Sequence, residues 1–235
     1  MKGYKKRSKN IIQLIGKLRD EGAAMDIDLP TVVFCGNQSA GKSSLIESIS
    51  GIMLPRSDGT CTRCPMELRL SEGKEEDWEC SISLQFQNDK YGKRLSKPKE
   101  YEFKTGIRNK NDVENAVRCA QKAILNPNND SSAYKDYDFD DSSLEARMTD
   151  VNSNQLTFTY NTVCIKISGS TVNLTLIDLP GLIRTTESSL EISSIALVEG
   201  MDQTYIGNPR ALIIAAISCK DEIENQAIFT LAKEV

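Results

Sequence analysis

Gly36-Asn37-Gln38-Ser39-Ala40-Gly41-Lys42-Ser43, followed by Ser44, places two glycines, an amine and several hydroxyls in the spacing G-x-x-x-x-G-K-[ST]. The chemistry this suits is the binding of a polyphosphate. Small residues let successive backbone N–H groups wrap phosphate oxygens, and a helix N-terminus behind them favours the anion. Lys42 would meet the β- and γ-phosphates, and the Ser43 hydroxyl would ligate Mg²⁺. The context is the one the spacing needs. The apolar, β-branched run Thr31-Val32-Val33-Phe34, ending at Cys35, reads as a strand, and Leu45-Ile46-Glu47-Ser48-Ile49 reads as a helix.

Such a site needs an acidic partner for the metal. Asn173-Leu174-Thr175-Leu176-Ile177 runs apolar into Asp178, which puts a carboxylate at a strand's C-terminal end, where open α/β sheets bind ligands. Asp178-x-x-Gly181 lets that carboxylate reach the metal's water shell. It also lets the Gly181 N–H approach the γ-phosphate with no Cβ in the way. Between the two motifs, residues 54–65 form a polar loop punctuated by Gly and Pro, in which a threonine hydroxyl, Thr60 or Thr62, would be the second protein ligand of Mg²⁺.

Several strings together resemble the dynamin superfamily of large GTPases. They are Gln38-Ser39-Ala40-Gly41-Lys42-Ser43-Ser44, Leu54-Pro55-Arg56, Thr62-Arg63-x-Pro65 and Asp178-Leu179-Pro180-Gly181. Tyr205-Ile206-x-x-Pro209, Ile213-Ile214-Ala215, Asn225-Gln226 and Ala232-Lys233-Glu234-Val235 follow in the same order, and Asp112 to Pro127 is most similar to the Mx-like branch. The resemblance implies GTP as substrate, hydrolysed to GDP and phosphate. It implies a nucleotide site of residues 36–44 with Arg56, Ser57, Gly59, Asp178 and Gly181. Thr62, rather than Thr60, would join Ser43 and Asp178 on Mg²⁺. Ser39, with backbone carbonyls of Ser57 and Gly59, would hold a monovalent cation, K⁺ or Na⁺, in place of an arginine finger. Gln38 would orient the attacking water, since Leu182, just after Gly181, has no group that could. Catalysis would rest on Gln38, Ser39, Lys42, Thr62 and Gly181. Self-association through this domain, a cytoplasmic location with peripheral attachment to membranes, and work on membranes or microtubules are further implications.

The family's guanine-reading T-K-x-D string does not occur in this sequence. The expectation is therefore a C-terminally truncated GTPase domain of the dynamin type over residues 27–235, behind an N-terminal amphipathic helix within residues 1–26. Residues 126–155 would form a polar, acidic insertion, with Asn128–Asp141 a mobile loop. Its Asp spacing lacks the glycine and final glutamate of an EF-hand loop. A weak or inactive domain serving as an interaction module, and a P-loop ATPase, are the alternatives.

Composition narrows the chemistry. There is no histidine, so Ser-His-Asp and Cys-His nucleophilic sites and His-containing zinc sites are out. Hydrolysis must rest on positioning, metal and charge. A net charge of −4 carries no general nucleic-acid signature. The seven cysteines are odd in number and mostly in apolar segments, which reads as reduced and structural. Cys61-x-x-Cys64 has no second pair and sits in the polar loop, so a structural role is expected for it.

The elements that must position these groups follow from periodicity. Ile11, Leu14, Ile15 and Leu18 predict a helix near residues 8–21. Val32–Cys35 predicts the first strand, and Lys42–Ser50 the helix behind the loop. Met66–Ser71 and Trp78–Phe86 read as antiparallel strands, and Asn111–Leu125 as a helix stopped by Pro127. Val163–Ile167 and Asn173–Ile177 are expected to pair through a turn at Gly169. Then come a helix over Ser193–Tyr205, a buried parallel strand over Ala211–Ile217 and a closing helix over Glu222–Val235. Strands alternating with helices behind a P-loop predict an α/β fold, a three-layer P-loop NTPase fold with a central, mostly parallel sheet.

Overall fold

The computed structural model describes residues 31–55, 62–137, 155–182 and 189–217, together with Ile11, Leu14 and Leu18. Those three residues are helical, and Ile11 and Leu14 are exposed. The rest of the N-terminal helix, Arg56 to Cys61, most of the acidic insertion and the expected closing helix lie outside the described residues.

The strands are β1 (Thr31–Gly36), β2 (Met66–Glu72), β3 (Glu79–Asn88), β4 (Arg94–Ile107), β5 (Thr162–Ser170), β6 (Leu174–Asp178) and β7 (Ala211–Ala216). The helices are α1 (Lys42–Ser50), α2 (Asn111–Leu125) and α3 (Ser189–Ile206). All seven strands form one sheet in the order β4-β3-β5-β2-β6-β1-β7. β1–β6, β1–β7 and β2–β5 are parallel, whereas β2–β6, β3–β4 and β3–β5 are antiparallel, so the sheet is mixed.

Alternation along β1 sets the layers. Phe34 faces a core that includes Ile46 of α1 and Val113, Ala116, Val117, Ala120 and Ile124 of α2. Val33 and Cys35 face a second core with Val198, Met201 and Ile206 of α3. Each fully buried aliphatic side chain stabilises the fold by roughly 1.5–3 kcal/mol, so helices carrying such stripes are held to the sheet by packing more than by intrinsic propensity. α2 starts where the Asn109 side chain accepts from the Asn111 N–H at 3.1 Å. It ends before Pro127, where the Asn126 side chain donates to the Lys122 carbonyl at 2.7 Å.

Four expectations change. β5 and β6 are not a hairpin: β2 lies between them. Gly169 sits inside β5 with φ +74°, and a Cβ there would be 2.8 Å from the Trp78 Cα, so it permits close passage of two backbones rather than a turn. The Met66–Ser71 and Trp78–Phe86 strands do not pair with each other, because β5 separates β2 from β3. β7 is parallel to β1 but half-exposed, with Leu212 63% accessible. It has one partner strand among the described residues. Finally, the first part of the Asn128–Asp141 stretch is anchored. Tyr134 and Tyr137 are buried, Cys119 Sγ donates to the Tyr137 carbonyl at 3.5 Å, and Lys122 Nζ donates to the Tyr137 hydroxyl at 3.1 Å.

Candidate nucleotide site

The loop between β1 and α1 is shaped by backbone freedom at its ends. Gly36 has φ +146°, and a Cβ on it would lie 2.3 Å from the Ala216 carbonyl oxygen of β7. Gly41 has φ +90° and opens α1. Both are conformations that side chains rarely adopt. Ser39, at the loop's tip, takes φ +61°, a left-handed conformation uncommon for a non-glycine residue.

The second motif is stitched to the first. Beyond β6 the Leu179 N–H donates to the Phe34 carbonyl at 3.3 Å and the Leu182 N–H to the Gly36 carbonyl at 3.1 Å. The Gln38 N–H donates to the Leu182 carbonyl at 3.3 Å. This parallel run presses Gly181 onto the loop, where a Cβ would be 2.6 Å from the Gln38 Cα. Gly181 is therefore required at this position by contact with the phosphate-binding loop itself. Leu182 goes into the apolar core beside α3, which fits its inability to orient water.

Three oxygen groups expected around one Mg²⁺ meet. Ser43 Oγ donates to Asp178 Oδ2 at 2.9 Å, and Thr62 Oγ1 donates to the same oxygen at 3.4 Å. Asp178 is fully buried, and its Oδ1 has no hydrogen-bond partner among the described residues. Burial pushes its carboxyl up to about 6, against the pull of Lys42 and the Ser43 and Thr62 hydroxyls. An orphaned carboxylate oxygen beside two hydroxyls is an all-oxygen donor set, which fits magnesium.

Lys42 is 6% exposed and donates to the carbonyls of Gly36 and Asn37, each at 3.1 Å. Burial lowers its pKa, opposed by Asp178 and Asp202. Gln38, Ser39 and Ser44 are exposed at the loop, while Asn37 and Ala40 are half-buried. The expected contributions of Arg56, Ser57 and Gly59 lie outside the described residues, as does Thr60. A separate groove of about 200 Å³ is lined by Arg69, Ser83, Glu100 and Lys166 among others and shares no residue with this site. Its Arg69 is tied to Glu67 and Glu100 at 3.1 Å.

Sequence reasoning missed Asp202. It is fully buried on α3, and neither carboxylate oxygen has a partner among the described residues. Nothing in the string Glu199-Gly200-Met201-Asp202-Gln203 marks it, because one acid in a helix reads as a solvated residue.

The profile of the Dynamin family matches residues 32–235. The chain is 30% identical over 233 residues to an interferon-induced GTP-binding protein Mx of Epinephelus coioides, covering 99% of this chain and 30% of that protein. It is 29% identical to the protein of that name in Dicentrarchus labrax, again over 99% of this chain and 29% of the relative. To interferon-induced GTP-binding protein Mx2 of Sus scrofa it is 27% identical, over 99% of this chain and 27% of the relative. The chain thus spans less than a third of the length of these relatives.

Proposed function

The chain belongs to the dynamin family, and from that premise we propose that it binds GTP and hydrolyses it to GDP and phosphate. The observation that carries this reading is the meeting of Ser43, Thr62 and Asp178 beside the buried amine of Lys42. Ser43 and Thr62 would hold Mg²⁺ with Asp178 in the second role of orienting its shell. The ion would neutralise charge on the β- and γ-phosphates. Lys42 would leave its carbonyl partners in part and turn its N–H donors to the same phosphates. The Gly181 N–H would approach the γ-phosphate from the segment beyond β6 that closes on Gln38.

Gln38, exposed at the loop's mouth, would orient the attacking water. The left-handed backbone at Ser39 supports a role in aiming its carbonyl or hydroxyl at a monovalent cation, with the Ser57 and Gly59 carbonyls completing the set. Self-association through this domain would order these groups, and action on membranes or microtubules from a cytoplasmic location completes the reading.

Replacing Gln38 or Thr62 with alanine is expected to lower turnover by about 10²-fold, in the range of lost transition-state stabilisers, while leaving nucleotide affinity within a fewfold. Turnover unchanged in Thr62→Ala would remove Thr62 from the site. The reading as a whole is tested by comparing hydrolysis of GTP and ATP by the chain, first in potassium and then in a bulky organic cation. GTP-selective, potassium-dependent turnover is the expected result. Equal use of ATP would favour a P-loop ATPase, and no binding of either would favour an interaction module.

A further inference from the structure

We propose that Asp202 is a positioning residue for the nucleotide site: a buried carboxylate that balances the Lys42 charge in the resting chain and takes up a proton when a triphosphate claims that lysine. This rests on the nucleotide-binding reading given above.

Its placement is unusual for a helix residue. Val198, Asp202 and Ile206 follow at i, i+4 and i+8 on α3, so they share one face. Val198 and Ile206 lie in the core with Val33, Cys35, Ile177 and Leu179. Asp202 thus sits in the middle of the buried stripe, fully inaccessible, with both oxygens unpartnered among the described residues. An unpaired carboxylate in such a place opposes folding, and packing alone would be better served by leucine. What it brings to this place that leucine would not is a charge.

Among the described residues, few charged groups act on it. Cys35 of β1 packs in the same core as Val198 and Ile206, and Lys42 Nζ of α1 donates to the carbonyl of the next residue, Gly36, at 3.1 Å, which brings the amine to the edge of that core. Lys42 feels the Asp202 charge, as does the Cys35 thiol, which burial and then Asp202 push up to about 12. Glu199 acts from α3 itself, and β7 carries no titratable side chain. Burial raises Asp202 to about 7, with Lys42 opposing and Glu199 adding, so near neutral pH it exchanges a proton readily. Asp178 acts on the same lysine. Among the described residues, the buried Lys42 cation is therefore balanced by two buried carboxylates. Arrival of Mg²⁺ with a triphosphate changes this arrangement. Asp178 would turn to the ion's shell, Lys42 would give its donors to the phosphates, and Asp202 would be left beside added negative charge. Protonation removes that conflict, so binding consumes a proton and weakens as pH rises.

The test is calorimetric titration of the full chain with Mg²⁺ and GTPγS in two buffers of different ionisation heat, which counts protons. Wild type is expected to take up as much as one proton at pH 7.5. Its affinity should fall between pH 6.5 and 8.5 by at most about tenfold per pH unit. Asp202→Asn should lose that uptake and bind up to about tenfold more tightly than wild type at pH 8.5. The nucleotide's own titration is common to both proteins. The same proton count and pH slope in Asp202→Asn as in wild type would overturn the proposal. If the variant does not fold, zero uptake by wild type at pH 7.5 overturns it equally. No GTPγS binding by wild type at any pH would overturn the nucleotide reading, and this inference with it.

Discussion

Lys42→Ala is expected to abolish measurable GTP binding, a loss of at least about 10²-fold in affinity. A charge-assisted hydrogen bond contributes roughly 1.5–3 kcal/mol, and a lysine between two phosphates makes more than one. Here the loss is compounded by surroundings. Lys42 is the buried cation that faces both Asp178 and Asp202. Without it, incoming phosphates would meet two buried acids and no compensating amine. The same deletion removes two donors to the Gly36 and Asn37 carbonyls, so the loop would also lose an internal brace. Arginine should not rescue the site, because its wide planar head does not fit where a slender amine reaches two carbonyls at 3.1 Å. Fluorescent GTP-analogue binding is the measurement. Wild-type affinity in Lys42→Ala would mean that the triphosphate does not sit in this loop.

Asp178→Asn is expected to act in opposite directions on activity and stability. Turnover should fall by at least about 10²-fold, since a neutral amide supplies no charge to the magnesium shell. The nucleotide-free chain should become more stable at pH 8. Asp178 is raised in the folded state from 3.8 to about 6, chiefly by burial. The folded chain therefore holds this proton more tightly than the unfolded chain does. That contribution to stability is complete below about pH 4 and is lost as pH rises through about 6. For a group moved this far the difference is on the order of 3 kcal/mol. Asparagine keeps an acceptor for Ser43 and Thr62 but avoids the buried charge. Urea denaturation at pH 5 and pH 8 would show the variant gaining at pH 8 and matching wild type more closely at pH 5. A variant weaker at both would show that Asp178 is a structural acceptor first.

How much of this could be read in the residues depended on the kind of signal. The phosphate-binding loop, the Asp178 strand end and α2 were legible because each is local: a spacing, an apolar run, a helical stripe with Pro127 after it. The meeting of Ser43, Thr62 and Asp178 was legible only through the family resemblance, since Thr60 and Thr62 are equivalent as sequence. Strand β4 was not read, although Tyr101, Phe103, Thr105 and Ile107 alternate with Glu102, Lys104 and Gly106, because much of the stretch before them, Lys97-Pro98-Lys99-Glu100, is charged. Sheet order was misread at β5 and β6. Short connections suggest neighbours, and nothing local reveals that β2 inserts between two strands nearly 100 residues later in the chain. Asp202 was invisible because burial is a property of the assembled layers.

The pairing of β1 with its two neighbours has a consequence for the order in which the chain acquires structure. Phe34 is matched to Asp178 on one side and to Ile214 on the other, whereas β3 and β4 meet across a turn at residues 89–93. Closing a long loop costs entropy before any contact repays it, so distant partners join late. The β3–β4 ribbon can form before its later partners are made, but the strand that leads into the phosphate-binding loop is paired on both sides only once residue 211 has emerged. Nucleotide recognition would thus arrive late in the assembly of this sheet. Pulsed hydrogen exchange during refolding should protect β3 and β4 amides before those of β1, and the reverse order would place the nucleus at the loop instead.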